Sequence, residues 1–156
     1  MNPRLVELAN VLELLYQKLA AFEKELALSS SPLVKFEMKQ RIIQEIWPSI
    51  RRYESEYWSL YPPEAIVIPD STAERYLRQI EFAVVSIEQT SSANYPPGLV
   101  PLLQDIRAKL GEDKSASAKL KIALPLIPAI ASYELELDTA KVMQEAWTSI
   151  KSWIRK

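Results

Sequence analysis

Three acidic residues at alternate positions, Glu134, Glu136 and Asp138, are the pattern in this chain closest to a hard-cation site. On an extended strand they would project from one face as a ladder of carboxylates. A divalent site also needs ligands converging from elsewhere, and none is signalled, so the preferred reading is a solvated face opposite Tyr133, Leu135 and Leu137. Pairs such as Glu54 with Glu56, or Glu23 with Glu25, have no proximity argument for acid–base work. A second group, Lys39, Arg41, Arg51 and Arg52 among Tyr53, Tyr57 and Trp58, has the basic and aromatic character that clamps single-stranded nucleic acid. The charge balance argues against it. Nineteen basic residues face twenty acidic ones, ten and eleven in residues 1–78 and nine each in residues 79–156. No basic excess exists to neutralise phosphates. The group therefore reads as a helix packed through its aromatics, with Arg52 facing Glu45 and Glu56 at helical spacing.

The remaining chemistry is excluded by absence. With no His and no Cys there is no Ser–His–Asp triad, thiolate nucleophile, zinc finger or iron–sulfur ligand set. Two glycines, Gly98 and Gly111, are too few for a phosphate-cradling loop. No catalytic residue, metal ligand or cofactor is assigned.

The elements that carry these residues are helical. Leu5, Leu8, Leu12, Leu15, Leu19, Phe22 and Leu26 are spaced alternately by three and four, a heptad seam that no strand produces. Asn2 caps this helix and Pro3 occupies its first position. It stops in Ser29-Ser30-Ser31, where Ser31 caps a second helix and Pro32 opens it. Phe36, Ile43, Ile46, Ile50, Tyr53, Tyr57 and Leu60 continue the spacing there, with Lys39 filling one seam position and Ile42, Trp47 and Trp58 widening the stripe. Pro48 predicts a kink or break near Ile46, because it lacks an N–H and crowds the carbonyl of residue 44. The short linker makes the two helices antiparallel.

Tyr61-Pro62-Pro63 ends the hairpin. Residues 64–69 read as a short extended piece burying Ala65, Ile66, Val67 and Ile68. A third helix follows, with Ser71 and Glu74 as a capping box and Ala73, Tyr76, Leu77, Ile80, Ala83, Val84 and Ile87 buried. A fourth helix, Leu99 to Leu110, buries Leu99, Leu102, Leu103, Ile106 and Leu110, with Gly111 as a left-handed cap. Ser115 or Ser117 caps a short helix, beyond which Pro125 and Pro128 make continuation doubtful. The alternation at residues 133–137 favours a strand slightly over a helix. Asp138 or Thr139 then caps a last helix striped by Val142, Met143, Ala146, Trp147, Ile150 and Ile154.

The segment Glu23-Lys-Glu-Leu-Ala-Leu28, its Ser/Pro loop and Val34-Lys-Phe-Glu-Met-Lys-Gln-Arg-Ile-Ile43 resemble effector-associated domains. These are small helical modules of bacterial conflict and signalling proteins, found beside caspase-like, STAND-type ATPase, TIR or trypsin-like domains. Lys119 to Asp138 with the Trp-containing helix after it also looks like a segment of such proteins. The resemblance implies an adaptor that joins partners by like-with-like contacts and does no chemistry. With no effector alongside, it implies either action in trans as a free-standing adaptor or a stand-alone relative with a different job.

The chain is thus expected to be all-α: a long antiparallel hairpin at residues 1–61 and a smaller helical module at 62–156, with a short strand or two near 65–68 and 133–137. It is expected to be a cytoplasmic, non-catalytic protein–protein interaction module with no nucleic-acid partner, cofactor or transmembrane segment. Contact candidates are Leu5, Leu12, Leu19 and Leu26, with Trp58, Trp147 and Trp153. For Trp153, packing against another protein and burial under residues 61–69 stand level. Three alternatives are a homodimer pairing the leucine seams into a four-helix bundle, a membrane-surface protein acting through the uncharged run Ile122 to Tyr133, and an enzyme or ligand carrier using carboxylates and Arg/Tyr.

Overall fold

The Asn2 side chain accepts the Arg4 amide hydrogen at 2.9 Å and opens α1 (Pro3–Leu28), with Pro3 at the position where a missing N–H costs nothing. Ser31 repeats the device, accepting from the Val34 amide to open α2 (Pro32–Arg41). These helices belong to a computed structural model that describes residues 2–89, 95–137 and 141–154. The chain divides into two compact units, Met1–Leu60 and Tyr61–Lys156. Every regular element among the described residues is helical, and the protein is all-α.

In the first unit α1 packs antiparallel along the second helical rod. Arg4 near its start bonds Glu56 near the end of α3 (Trp47–Leu60), and Arg41 lies 4.9 Å over the Phe22 ring. The leucine seam faces inward: Leu5, Leu8, Leu12 and Leu19 are buried, and Leu15, Phe22 and Leu26 half-buried.

The irregularity expected near Ile46 is present, as a wider turn and not as a break: α2 runs through a π-helical turn, Ile42–Ile46, directly into α3, with the Trp47 amide donating to the Ile42 carbonyl. The wider turn just before Pro48 loosens the ladder where the proline ring would crowd a tighter helix. It also changes which face is buried. The expected seam holds at Ile46 and Ile50, and Ile42, Trp47 and Trp58, expected to widen it, are buried as well. It fails at Phe36, Ile43 and Leu60, all exposed, and at Tyr53 and Tyr57, half-buried, while Glu54 is buried unexpectedly.

The reason is angular. At roughly 100° per residue, Leu33, Phe36, Gln40, Ile43, Trp47, Ile50, Glu54 and Trp58 would share one face of an uninterrupted α-helix. A π turn holds one residue more than an α turn, so it offsets everything before it by roughly that angle. The latter half of the stripe lies against α1. The earlier half is turned away from it, and α2 buries no residue.

In the second unit α4 (Asp70–Glu88) buries all seven residues expected of it, Ala73 through Ile87. Its start differs: Asp70 is already helical and Pro69 takes the cap position, so Ser71 and Glu74 lie inside the first turn and form no capping box. α5 (Leu99–Leu110) has the expected bounds and buries Leu99, Leu103 and Ile106, with Leu102 and Leu110 half-buried. Gly111 has φ −84°, not a left-handed value: its amide closes a tight right-handed turn onto the Arg107 carbonyl. Gly98 is held by space, because a Cβ there would run into the Tyr133 hydroxyl.

Ser115 caps α6 (Ala116–Ala123), accepting from the Ala118 amide. α7 (Ile127–Leu137) corrects the expected strand. Pro128 falls in its first turn, where no N–H is needed, so the helix starts there and carries through Tyr133-Glu-Leu-Glu. Leu124, Ile127, Ala129, Ile130 and Ala131 are buried in the fold, so these residues are not free to lie on a membrane surface. Near 65–68 there is likewise no strand. A 3₁₀ turn at Pro63–Ala65 leads into extended residues that bury Ile66 and Ile68, while Ala65 is exposed and Val67 is 82% exposed. α8 (Val142–Ile154) buries Met143, Ala146, Trp147 and Ile150, and packs on α4 and α7. The caps expected at Asp138 or Thr139 lie outside the described residues.

Candidate interaction surface

The acidic ladder dissolves because residues 133–137 are helical. Two residues apart on a helix point to nearly opposite sides. Glu134 is neither on a solvated face nor placed for a cation; it is 1% exposed, and its carboxylate accepts the Met143 and Gln144 amides, each at 2.9 Å. A side chain of α7 thereby caps the first turn of α8, where a negative charge meets the positive end of the helix dipole. Burial nevertheless outweighs these amides and raises its carboxyl above the ordinary range. Among the described residues no group of His, Cys, Asp or Glu could hold a metal ion.

Glu54 is also buried, inside the hairpin seam. It accepts the Tyr16 hydroxyl and the Trp58 indole N–H, both at 2.8 Å. Burial, with Glu54 as the neighbouring charge, pushes the Tyr16 hydroxyl well above its usual value, so it stays a donor. The network bridges α1 and α3 and is satisfied within the unit.

Arg52 lies 4.8 Å over the Tyr53 ring; of the carboxylates expected opposite it, Glu45 pairs with Arg41 at 3.6 Å, and Glu56, bonded to Arg4, is near enough to feel the Arg52 charge. The Arg4 guanidinium holds the Glu56 carboxyl below its usual range.

The seven contact candidates mostly serve the fold. Leu5, Leu12, Leu19, Trp58 and Trp147 are buried and Leu26 is half-buried. Trp153, half-buried, donates its indole N–H to the Val67 carbonyl at 3.2 Å, a contact with the 61–69 segment that stays at the surface. The five buried side chains are spent on packing, which is what leucine seams and tryptophans at helical spacing do first.

What remains exposed is elsewhere. Leu33 is 67% exposed, Phe36 60% and Ile43 43%, and with Gln40 between them they form a single stripe spaced three, four, three along α2 and the π turn. Leu28, 76% exposed, ends α1 just before the linker. The stripe was present in the sequence as spacing, but the same spacing predicts burial against α1 unless the π turn is known. On the second unit Phe82 is exposed beside a shallow depression of about 390 Å³ lined by Arg75, Arg78, Gln79, Val142 and Glu145, which mixes both signs of charge.

No protein-family model, curated protein or solved structure matches the chain.

Proposed function

We propose that this protein is a non-catalytic interaction module whose contact surface is the outward stripe Leu33–Phe36–Gln40–Ile43 of the hairpin. One observation carries this reading: α2 buries none of its residues, although half of an otherwise continuous apolar stripe lies on it. A ten-residue helix with no buried residue, which together with the π turn exposes Leu33, Phe36 and Ile43 at heptad spacing, gains little stability by itself. Packing by a partner would supply what the fold does not. The resemblance of Glu23 to Ile43 to effector-associated domains supports the same reading, since this stretch contains the stripe and such modules act as adaptors in signalling or defence. Supporting it also, the two buried carboxylates, Glu54 and Glu134, each accept two hydrogen bonds from internal donors. No helix among the described residues is long and apolar enough to cross a membrane, and the module is proposed to act in the cytoplasm.

A photo-cross-linking amino acid at position 36, compared with one at exposed Gln17 on α1, tests the surface in the native cell. A discrete protein adduct from position 36 and none from position 17 is the expected result. Equal labelling from both positions, or none from 36, would sink it.

A further inference from the structure

We propose that the α2 stripe takes an acidic amphipathic helix of another protein, and not a second copy of this chain; the inference rests on the interaction reading above. The charges beside the stripe decide the partner. Lys35 and Lys39, four residues apart, form one flank, and neither makes an ion pair among the described residues. Glu37, next to Phe36, lies on the other flank, where Arg41 is engaged by Glu45 at 3.6 Å. Two copies packed antiparallel about a two-fold axis bring like flanks together, Lys39 against Lys39 and Glu37 against Glu37. Parallel copies stack Gln40 on Gln40 and set Lys39 beside Gln44, which gains no charge contact. An acidic helix whose carboxylates lie on the flank that meets Lys35 and Lys39, with uncharged residues opposite Glu37, avoids both problems. Its apolar seam covers Leu33, Phe36 and Ile43, Gln40 pairs with a polar residue at the interface, and its carboxylates meet Lys35 and Lys39. A lipid surface fits less well, since Glu37, Gln40 and Gln44 interrupt the exposed face of a short helix.

The test uses the full chain and a three-heptad synthetic helix with Leu in the seam, Glu on one flank and Gln on the other, followed by fluorescence anisotropy. A Lys-flanked counterpart and phosphatidylserine vesicles serve as comparators. The acidic peptide should bind at least about tenfold more tightly than the basic one, and more weakly as salt is raised. Phe36→Ser should cost about tenfold or more, and Lys35→Glu with Lys39→Glu should reverse the peptide preference. Both variants alter exposed residues of a helix that buries nothing, and circular dichroism checks that helicity is kept. Equal binding of the two peptides, binding to vesicles but not peptide, or a dimer in light scattering that Phe36→Ser dissolves would each overturn the proposal. Failure of both peptides, with specific cross-linking from position 36 intact, removes the acidic partner while leaving the interaction surface in place.

Discussion

Deleting Gln44 is the sharpest probe of how the stripe comes to face outward. If the Ile42–Ile46 turn is an α-helix with one residue too many, removing one residue restores the ordinary ladder and leaves both flanking faces where they are. Gln44 is exposed, and its side chain donates only to Gln40 at 2.9 Å. The loss is a surface hydrogen bond of about 0.5–1 kcal/mol, offset by a regular turn, so stability should change by no more than about 1 kcal/mol. Deleting Ser55 instead removes a residue inside a true α-helix and swings Trp58, 7% exposed, roughly 100° off α1. A tryptophan taken out of the core costs about 3–5 kcal/mol. Urea unfolding followed by tryptophan fluorescence compares the two, because Trp47 and Trp58 both lie in α3. The absence of cysteine permits a second readout: a Phe36→Cys probe should react with a maleimide equally fast with and without Gln44. If the Gln44 deletion costs as much as the Ser55 deletion, or if the probe becomes protected, the π turn is not the device that rotates the stripe.

Further outcomes follow from the buried carboxylates and the one crowded glycine. Glu54→Ala strands the Tyr16 and Trp58 donors and should lose about 2–4 kcal/mol in urea melts, against roughly 1 for Glu54→Gln, which keeps one acceptor. Because the folded hydroxyl of Tyr16 titrates above its unfolded value, its contribution is full below about pH 10 and falls as pH rises beyond it. Tyr16→Phe should therefore flatten the alkaline arm of the stability profile. Glu134 has the same sign in the acid range: a raised folded carboxyl contributes fully below the unfolded value near 4.3 and loses that contribution as pH rises through the folded one. Glu134→Gln should accordingly cost more at pH 4 than at pH 7.5, and a larger cost at pH 7.5 refutes the assignment. Gly98→Ala should lose about 1–3 kcal/mol by collision with Tyr133, and Tyr133→Phe in the same chain should recover most of it; no recovery would locate the clash elsewhere.

How much of the candidate surface was legible depends on how far each signal reaches. The stripe residues stood in the sequence at their spacing, yet nothing local told whether they faced α1 or away from it. The leucines and tryptophans singled out for contact were conspicuous because they are large and periodic, the same properties that send them to the core. Glu134 stood out only for an alternation that the helix abolishes, and Glu54 stood at the stripe's spacing, but a charged side chain there reads as surface. Their burial depends on Tyr16, Trp58 and the α8 amides, which lie between four and thirty-eight residues away along the chain.

The sequence by itself determined what depends on neighbours within a turn or two. The α1 seam, the seven buried residues of α4, and the serine and asparagine caps at Asn2, Ser31 and Ser115 all follow from periodicity and short-range hydrogen bonding. Tertiary structure decided the rest. Helix prevailed over strand at residues 133–137 because Glu134 reaches α8 from within α7 and Pro128 falls where a helix tolerates it. One π turn before Pro48 divided a continuous apolar stripe, laying one half on α1 and turning the other half outward. A one-residue change of phase is worth roughly 100° of rotation, and only the packed fold reveals where that residue was added.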